Sequence, residues 1–197
     1  MTGMKSRAAH AGSALPGDAG LWVFILADMT AFALFFLLFG LGRAGSPVLF
    51  EQSRHALSAG FGVANTVILL TSSWMMVEAV KAARRADRKW TMHFLLLSII
   101  IGTGFGATKI IEYAEKARAG ISMLTNDFFM YYFVFTGIHF LHFLVGICAL
   151  VVTFAKARTD LMDARFVRWI ESVGCYWHMV DLLWIMLFPL LYLQRLT

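Results

Sequence analysis

The sequence predicts an all-α membrane protein, a bundle of five transmembrane helices. Three observations carry that prediction. Hydrophobic residues make up 59% of the 197-residue chain and mean hydropathy is +0.71, whereas soluble domains sit at roughly 45–50% apolar. Five charge-poor runs each reach the length of about 20 residues that a helix needs to cross a hydrocarbon core of roughly 30 Å, which is twice what a barrel strand would need. Lysine and arginine concentrate in alternate loops, the signature of a chain threaded back and forth across a bilayer.

The first run, residues 20–41, is rich in phenylalanine (Phe32, Phe35, Phe36, Phe39) and ends at the turn-forming "GRAGSP". The second, residues 56–80, carries Asn65, Thr66, Ser72 and Ser73; each pair repeats after seven residues, so all four share a face suited to interhelical hydrogen bonds. "KAARRADRK" ends it. In the third, residues 91–112, Ser98, Gly102 and Gly106 form a ridge of small side chains that lets a neighbouring helix approach closely. The fourth, residues 128–154, follows "EKARAG" and "TND", and the fifth, residues 173–193, follows "KARTDLMDAR". Pro189 should bend the fifth, because its ring removes a backbone donor.

Loop charge sets the expected orientation. The N-terminus, the 2–3 loop and the 4–5 loop hold Lys5, Arg7, Lys81, Arg84, Arg85, Arg88, Lys89, Lys156, Arg158, Arg165 and Arg168, against Arg43, Arg54, Lys116, Arg118 and Arg195 on the other side. Cytoplasmic loops carry the excess, so the N-terminus is expected in the cytoplasm and the C-terminus outside. Residues 1–19 read as a cytoplasmic segment with no cleavable signal peptide, and residues 20–197 as one membrane domain. The net charge of +5 belongs to these loops; no basic patch interleaved with aromatics suggests nucleic-acid binding. Cys148 and Cys175 lack metal or redox spacing and read as small buried apolar residues.

The functional candidates are the ionisable residues inside the runs, where charge is costly. Asp28 lies eight residues beyond the start of the first, about 12 Å along the helix. "TGIHFLHFLVG" places His139 and His142 one turn apart in the fourth, and "CYWHMVDLLW" places His178 and Asp181 three apart in the fifth. These five are expected to contribute to buried polar contacts, with Asp28, one or both of His139 and His142, and Asp181 within reach of one another across runs one, four and five. Lys109 and Glu112, three apart near the outer end of the third run, read as an interfacial ion pair with snorkelling stems. A bis-histidine haem could draw on His139 or His142 with His178. A haem–copper centre needs more histidines than these three, and no C-x-x-C-H attachment signal is present. A small haem-carrying redox protein and a proton or small-molecule transporter are therefore the rival readings. The second is weakened by the lack of repeat symmetry. Neither a catalytic centre nor a metal site is expected.

Several of these segments resemble a known family. "FTGIHFLHFLVG" looks like the T-G-x-H-x-x-H-x-x-x-G helix of haem–copper oxidase subunit III, and "YWHMVDLLWIMLF" resembles its W-H-F-V-D-x-x-W helix. "LWVFILADMTAFALFF", "ANTVILLTSSW" and "IIEY" match other helices of that family in order. The resemblance covers the last five of the family's seven helices, and the long members usually carry Glu where Asp28 stands. Short relatives are subunit III of quinol oxidases and the subunit-III-like protein encoded with nitric oxide reductases; "PGDAGLWVFILADM" is more similar to the second. What the resemblance implies is an accessory subunit with no redox cofactor of its own. It would sit in a bacterial inner (plasma) membrane, bind phospholipid and flank a catalytic haem–copper-type subunit, supporting its stability or proton uptake.

Overall fold

The computed structural model describes residues 18–159 and 161–193, and these are helical with no strand among them. The helices are α1 (Ala19–Gly45), α2 (Pro47–Arg54), α3 (Ala59–Arg84), α4 (Arg88–Arg118), α5 (Asp127–Thr159) and α6 (Ala164–Phe188), with α6 continued by a π-helical turn, Pro189–Leu193. Five helices are long and apolar enough to cross a membrane, as the sequence predicts.

The helices begin where a side chain accepts the free N–H groups of the first turn. Asp18 accepts from the Gly20 N–H at 2.7 Å and Asp87 from Trp90 at 3.2 Å. Asp163 accepts from Arg165 and Phe166 at 3.0 and 2.8 Å. The Asp163 cap explains why α6 starts nine residues ahead of the apolar run predicted from residue 173. Its first turns are amphipathic, with Phe166, Ile170 and Val173 buried on one side. The short helix α2 is not apparent in the hydropathy pattern. Pro47 stands in its first turn, where a missing N–H is harmless, and Phe50 anchors it edge-on to Phe39 and Phe128. Pro189, expected to bend the last helix, marks the change from α to π winding.

α3, α4, α5 and α6 form a four-helix bundle with α1 against α5 and α6. Of the most apolar stretch of α6, 56% is buried inside the protein, against 6% for α1, so α6 is central and α1 peripheral. Small residues bring the bundle together. Ser72 and Ser98 donate to each other's backbone carbonyls at 2.8 and 2.9 Å, tying α3 to α4, and the Trp177 indole N–H donates to Ser72 Oγ at 3.2 Å. All four polar residues of the predicted α3 face bond across helices. Asn65 accepts from Thr108, Thr66 accepts from the Trp184 indole, and Ser73 bonds His178.

The bundle has two polar ends. One carries the start of α1, the α3–α4 turn and the α5–α6 turn. The other carries α2, the α4–α5 loop and the π-helical turn. Lys5, Arg7 and Arg195 of the charge count lie outside the described residues, as do residues 1–17 of the predicted N-terminal segment.

Candidate functional site

Asp28 and His142 meet where α1 crosses α5. The Asp28 Oδ1 lies 3.2 Å from His142 Nε2, and both side chains are largely buried. The other ring nitrogen, Nδ1, lies 2.9 Å from the carbonyl of Ile138, one turn back. A carbonyl only accepts, so Nδ1 carries hydrogen and Nε2 is the nitrogen turned toward Asp28. The two polar groups thus face each other inside an apolar span. Phe32 stands edge-on to the imidazole at 6.0 Å, and the Tyr176 hydroxyl donates to the His142 carbonyl at 3.2 Å.

His139 does not join them. Three residues separate it from His142, an offset of about 60° around the helix, and that turns it into the bundle. It is fully buried, 5.4 Å ring to ring from both Phe105 and Trp184. Neither of its nitrogens has a hydrogen-bond partner among the described residues.

On α6, His178 and Asp181 face α3. Ser73 Oγ and His178 Nδ1 are 2.5 Å apart, and the same nitrogen is 3.9 Å from Asp181 Oδ2. Asp181 is 4% exposed, and neither of its oxygens has a partner among the described residues. The direct contacts among the expected residues are therefore pairwise. Asp28 and His142 lie together, while among the described residues no hydrogen bond or ion pair joins them to His139 or Asp181. The imidazoles of His142, His139 and His178 turn toward α1, the aromatic core and α3 respectively. Among the described residues no group of three or more His, Cys, Asp and Glu could hold a metal ion.

The structure departs from the sequence reading most at Lys109 and Glu112. The ion pair is present at 2.8 Å, but its side chains are 0% and 1% exposed rather than snorkelling. The apolar run ends at 112 whereas α4 continues to Arg118, so Lys109 lies about 13 Å inside the helix end, too deep for its stem to reach water. The Lys109 ammonium donates to the Tyr192 hydroxyl at 3.1 Å, which in turn donates to Glu112 Oε1 at 2.7 Å. Rings of Tyr113, Tyr132, Trp184 and Tyr192 surround it at 5.0–5.8 Å. Tyr132, Trp184 and Tyr192 are absent from the sequence-derived site. Their indole and hydroxyl groups, in runs four and five, were the signal for a buried polar centre.

The family profile described as cytochrome c oxidase subunit III matches residues 6–195. The chain is 28% identical over 181 residues to quinol oxidase subunit 3 of Bacillus spizizenii, covering 90% of this chain and 86% of that protein. It is 28% identical over 180 residues to cytochrome c oxidase subunit 3 of Corynebacterium diphtheriae, covering 89% and 86%. It is also 26% identical over 181 residues to the heme-copper oxidase subunit I+III of Aeropyrum pernix, with 89% of this chain covered. There the chain spans only 22% of the relative's length.

Proposed function

The chain belongs to the cytochrome c oxidase subunit III family, and from that membership we propose that it is the accessory membrane subunit of a respiratory haem–copper-type complex. The observation that carries the reading is the family match along nearly the whole chain. The Aeropyrum pernix relative, named as subunits I and III in one protein, supports a catalytic subunit I as the partner. The protein then adds no redox centre and serves the stability or proton uptake of that partner from its flank. The basic end faces the cytoplasm of a bacterial plasma membrane.

Within this reading the partner is of the nitric oxide reductase type, supported by the resemblance of the Pro16-Gly17-Asp18 lead-in. Residues 16 and 17 lie outside the described residues, and Asp18 serves as the α1 cap. The alternative, subunit III of a terminal oxidase proper, is favoured by the names of the quinol and cytochrome c oxidase relatives. A bound phospholipid is supported by a cavity of about 680 Å³ at the basic end, lined by Lys156, Leu161, Arg165, Arg168 and Trp169. Asp18 and Asp163, which also line it, are engaged in helix caps, and the three cations outnumber them, which suits a phosphate.

Purification from native membranes in mild detergent tests the assignment. The chain should co-migrate with a haem-bearing subunit, and consumption of nitric oxide or of oxygen by that complex separates the two partner types. A chain that runs alone, or that itself carries a stoichiometric Soret band, overturns the proposal. Asp28→Asn then asks what the Asp28–His142 pair does: normal assembly with slowed proton-coupled turnover supports proton handling, and unchanged turnover supports packing alone.

A further inference from the structure

We propose that Asp181 is a proton-binding site separate from the Asp28–His142 pair, loaded from the basic end of the bundle through His178 and the groove between α3 and α6. The inference rests on the chain's own geometry and does not require the partner assigned above. Asp181 is nearly inaccessible, and neither carboxylate oxygen has a hydrogen-bond partner among the described residues. An ionised carboxylate buried with no formed hydrogen bond, and with the His178 ring 3.9 Å away as its one ion-pair neighbour among the described residues, costs several kcal/mol, which binding a proton removes.

The route to it is visible. A groove of about 220 Å³ runs between α3 and α6, with Lys81, Arg84, Glu171, Gly174, Cys175 and His178 among the residues that line it. Its charged mouth is held by the Arg84–Glu171 ion pair at 2.8 Å. From Glu171 to His178 is two helical turns, about 10 Å, and Asp181 lies one turn deeper. The His178 side chain is 41% exposed although its neighbour Asp181 is 5% exposed, so one imidazole touches both the groove and the buried acid. Its Nδ1 contacts Ser73 Oγ at 2.5 Å and stands 3.9 Å from Asp181 Oδ2, one side-chain rotation or one bridging water from transfer. In the loading step a groove hydronium gives its proton to His178 Nε2, and the imidazolium releases the Nδ1 proton to the carboxylate. The products are water, neutral imidazole and neutral aspartic acid. The ionisable groups around the route come from α3 (Lys81, Arg84) and α6 (Glu171, Cys175, His178). Among the described residues no hydrogen bond or ion pair from α1, α4 or α5 reaches Asp181.

The test is infrared difference spectroscopy of the full chain reconstituted in phospholipid bilayers. In an Asp28→Asn background a carboxylic C=O band should be present at neutral pH, disappear when Asp181→Asn is added and move when aspartate is carbon-13 labelled. With Asp28 replaced, Asp181 is the buried aspartate left among the described residues, so the label assigns the band even if the double variant does not fold. On transfer to deuterium oxide the band should shift promptly in the parent chain and at least about tenfold more slowly in His178→Gln, which keeps a polar side chain but cannot become a cation. The absence of an aspartic acid band, or exchange equally fast without His178, overturns the proposal.

Discussion

Replacing Lys109 by Met removes the cation of a fully enclosed pair while keeping most of its volume. With both side chains at or below 1% exposure, the remaining Glu112 retains only the Tyr192 hydroxyl at 2.7 Å as a described donor. Stranding one member of a buried pair typically costs about 3–5 kcal/mol. Glu112→Gln should be milder, about 2 kcal/mol. Its amide oxygen can still accept from Tyr192, and the four rings at 5.0–5.8 Å hold the ammonium by about 1–2 kcal/mol of cation–π attraction. The double variant leaves no buried charge and should cost about 3 kcal/mol, well short of the sum. Equilibrium unfolding of the three variants in mixed detergent micelles completes the cycle. Additivity within about 0.5 kcal/mol would refute the coupling. A Glu112→Gln loss exceeding that of Lys109→Met would refute the aromatic enclosure.

Gly146→Ala should destabilise by about 1–3 kcal/mol, because a Cβ there meets the buried Trp177 ring at 2.7 Å; Gly137→Ala, with nothing within 4 Å, should gain up to about 1 kcal/mol in the same unfolding assay. Ala86 holds φ at +55° where Asp87 N–H closes the end of α3 on Ala82 at 3.0 Å, so Ala86→Gly should raise the unfolding midpoint by relieving about 1 kcal/mol of left-handed strain. The Phe166 and Arg165 backbone N–H groups and nearby arginines hold the Asp163 carboxyl below its ordinary value of 3.8. Its cap is therefore complete above that value and lost as pH falls through the folded one, and the protection of the Phe166 amide, its exchange rate referred to that of an unstructured peptide at the same pH, should fall across that acid range and stay constant above it. With the native cysteines removed, an impermeant thiol reagent added outside should label Arg118→Cys and spare Arg85→Cys; the reverse pattern refutes the orientation.

The five long helices were legible because hydrophobic length is a one-dimensional property that the bilayer enforces directly. The α3 polar face was legible for a related reason: Asn65, Thr66, Ser72 and Ser73 share a helical period, and all four bond across helices. Partner identity was harder to read. Asp28 and Asp181 stand equally far from the starts of their apolar runs, but α6 places Asp181 beside His178, which bonds Ser73, while α1 brings Asp28 to α5, and rotation about a helix axis is set by packing. Lys109 was misplaced because the edge of the apolar run was taken for the end of the helix. Residues 113–118 continue α4 beyond that run.

The peripheral place of α1 sets an order of events during synthesis. Its principal neighbours are α2, α5 and α6, so most of its interior surface has no counterpart until the second half of the chain exists. His142 emerges about 110 residues after Asp28, which at roughly 5–20 residues per second is an interval of about 5–20 seconds. Through that interval Asp28 must cross into the bilayer without the imidazole, at the cost that an unpartnered polar group carries in hydrocarbon. The arrival of α5 then captures a helix already inserted, and only at that point does Asp28 gain the imidazole that faces it in the finished bundle.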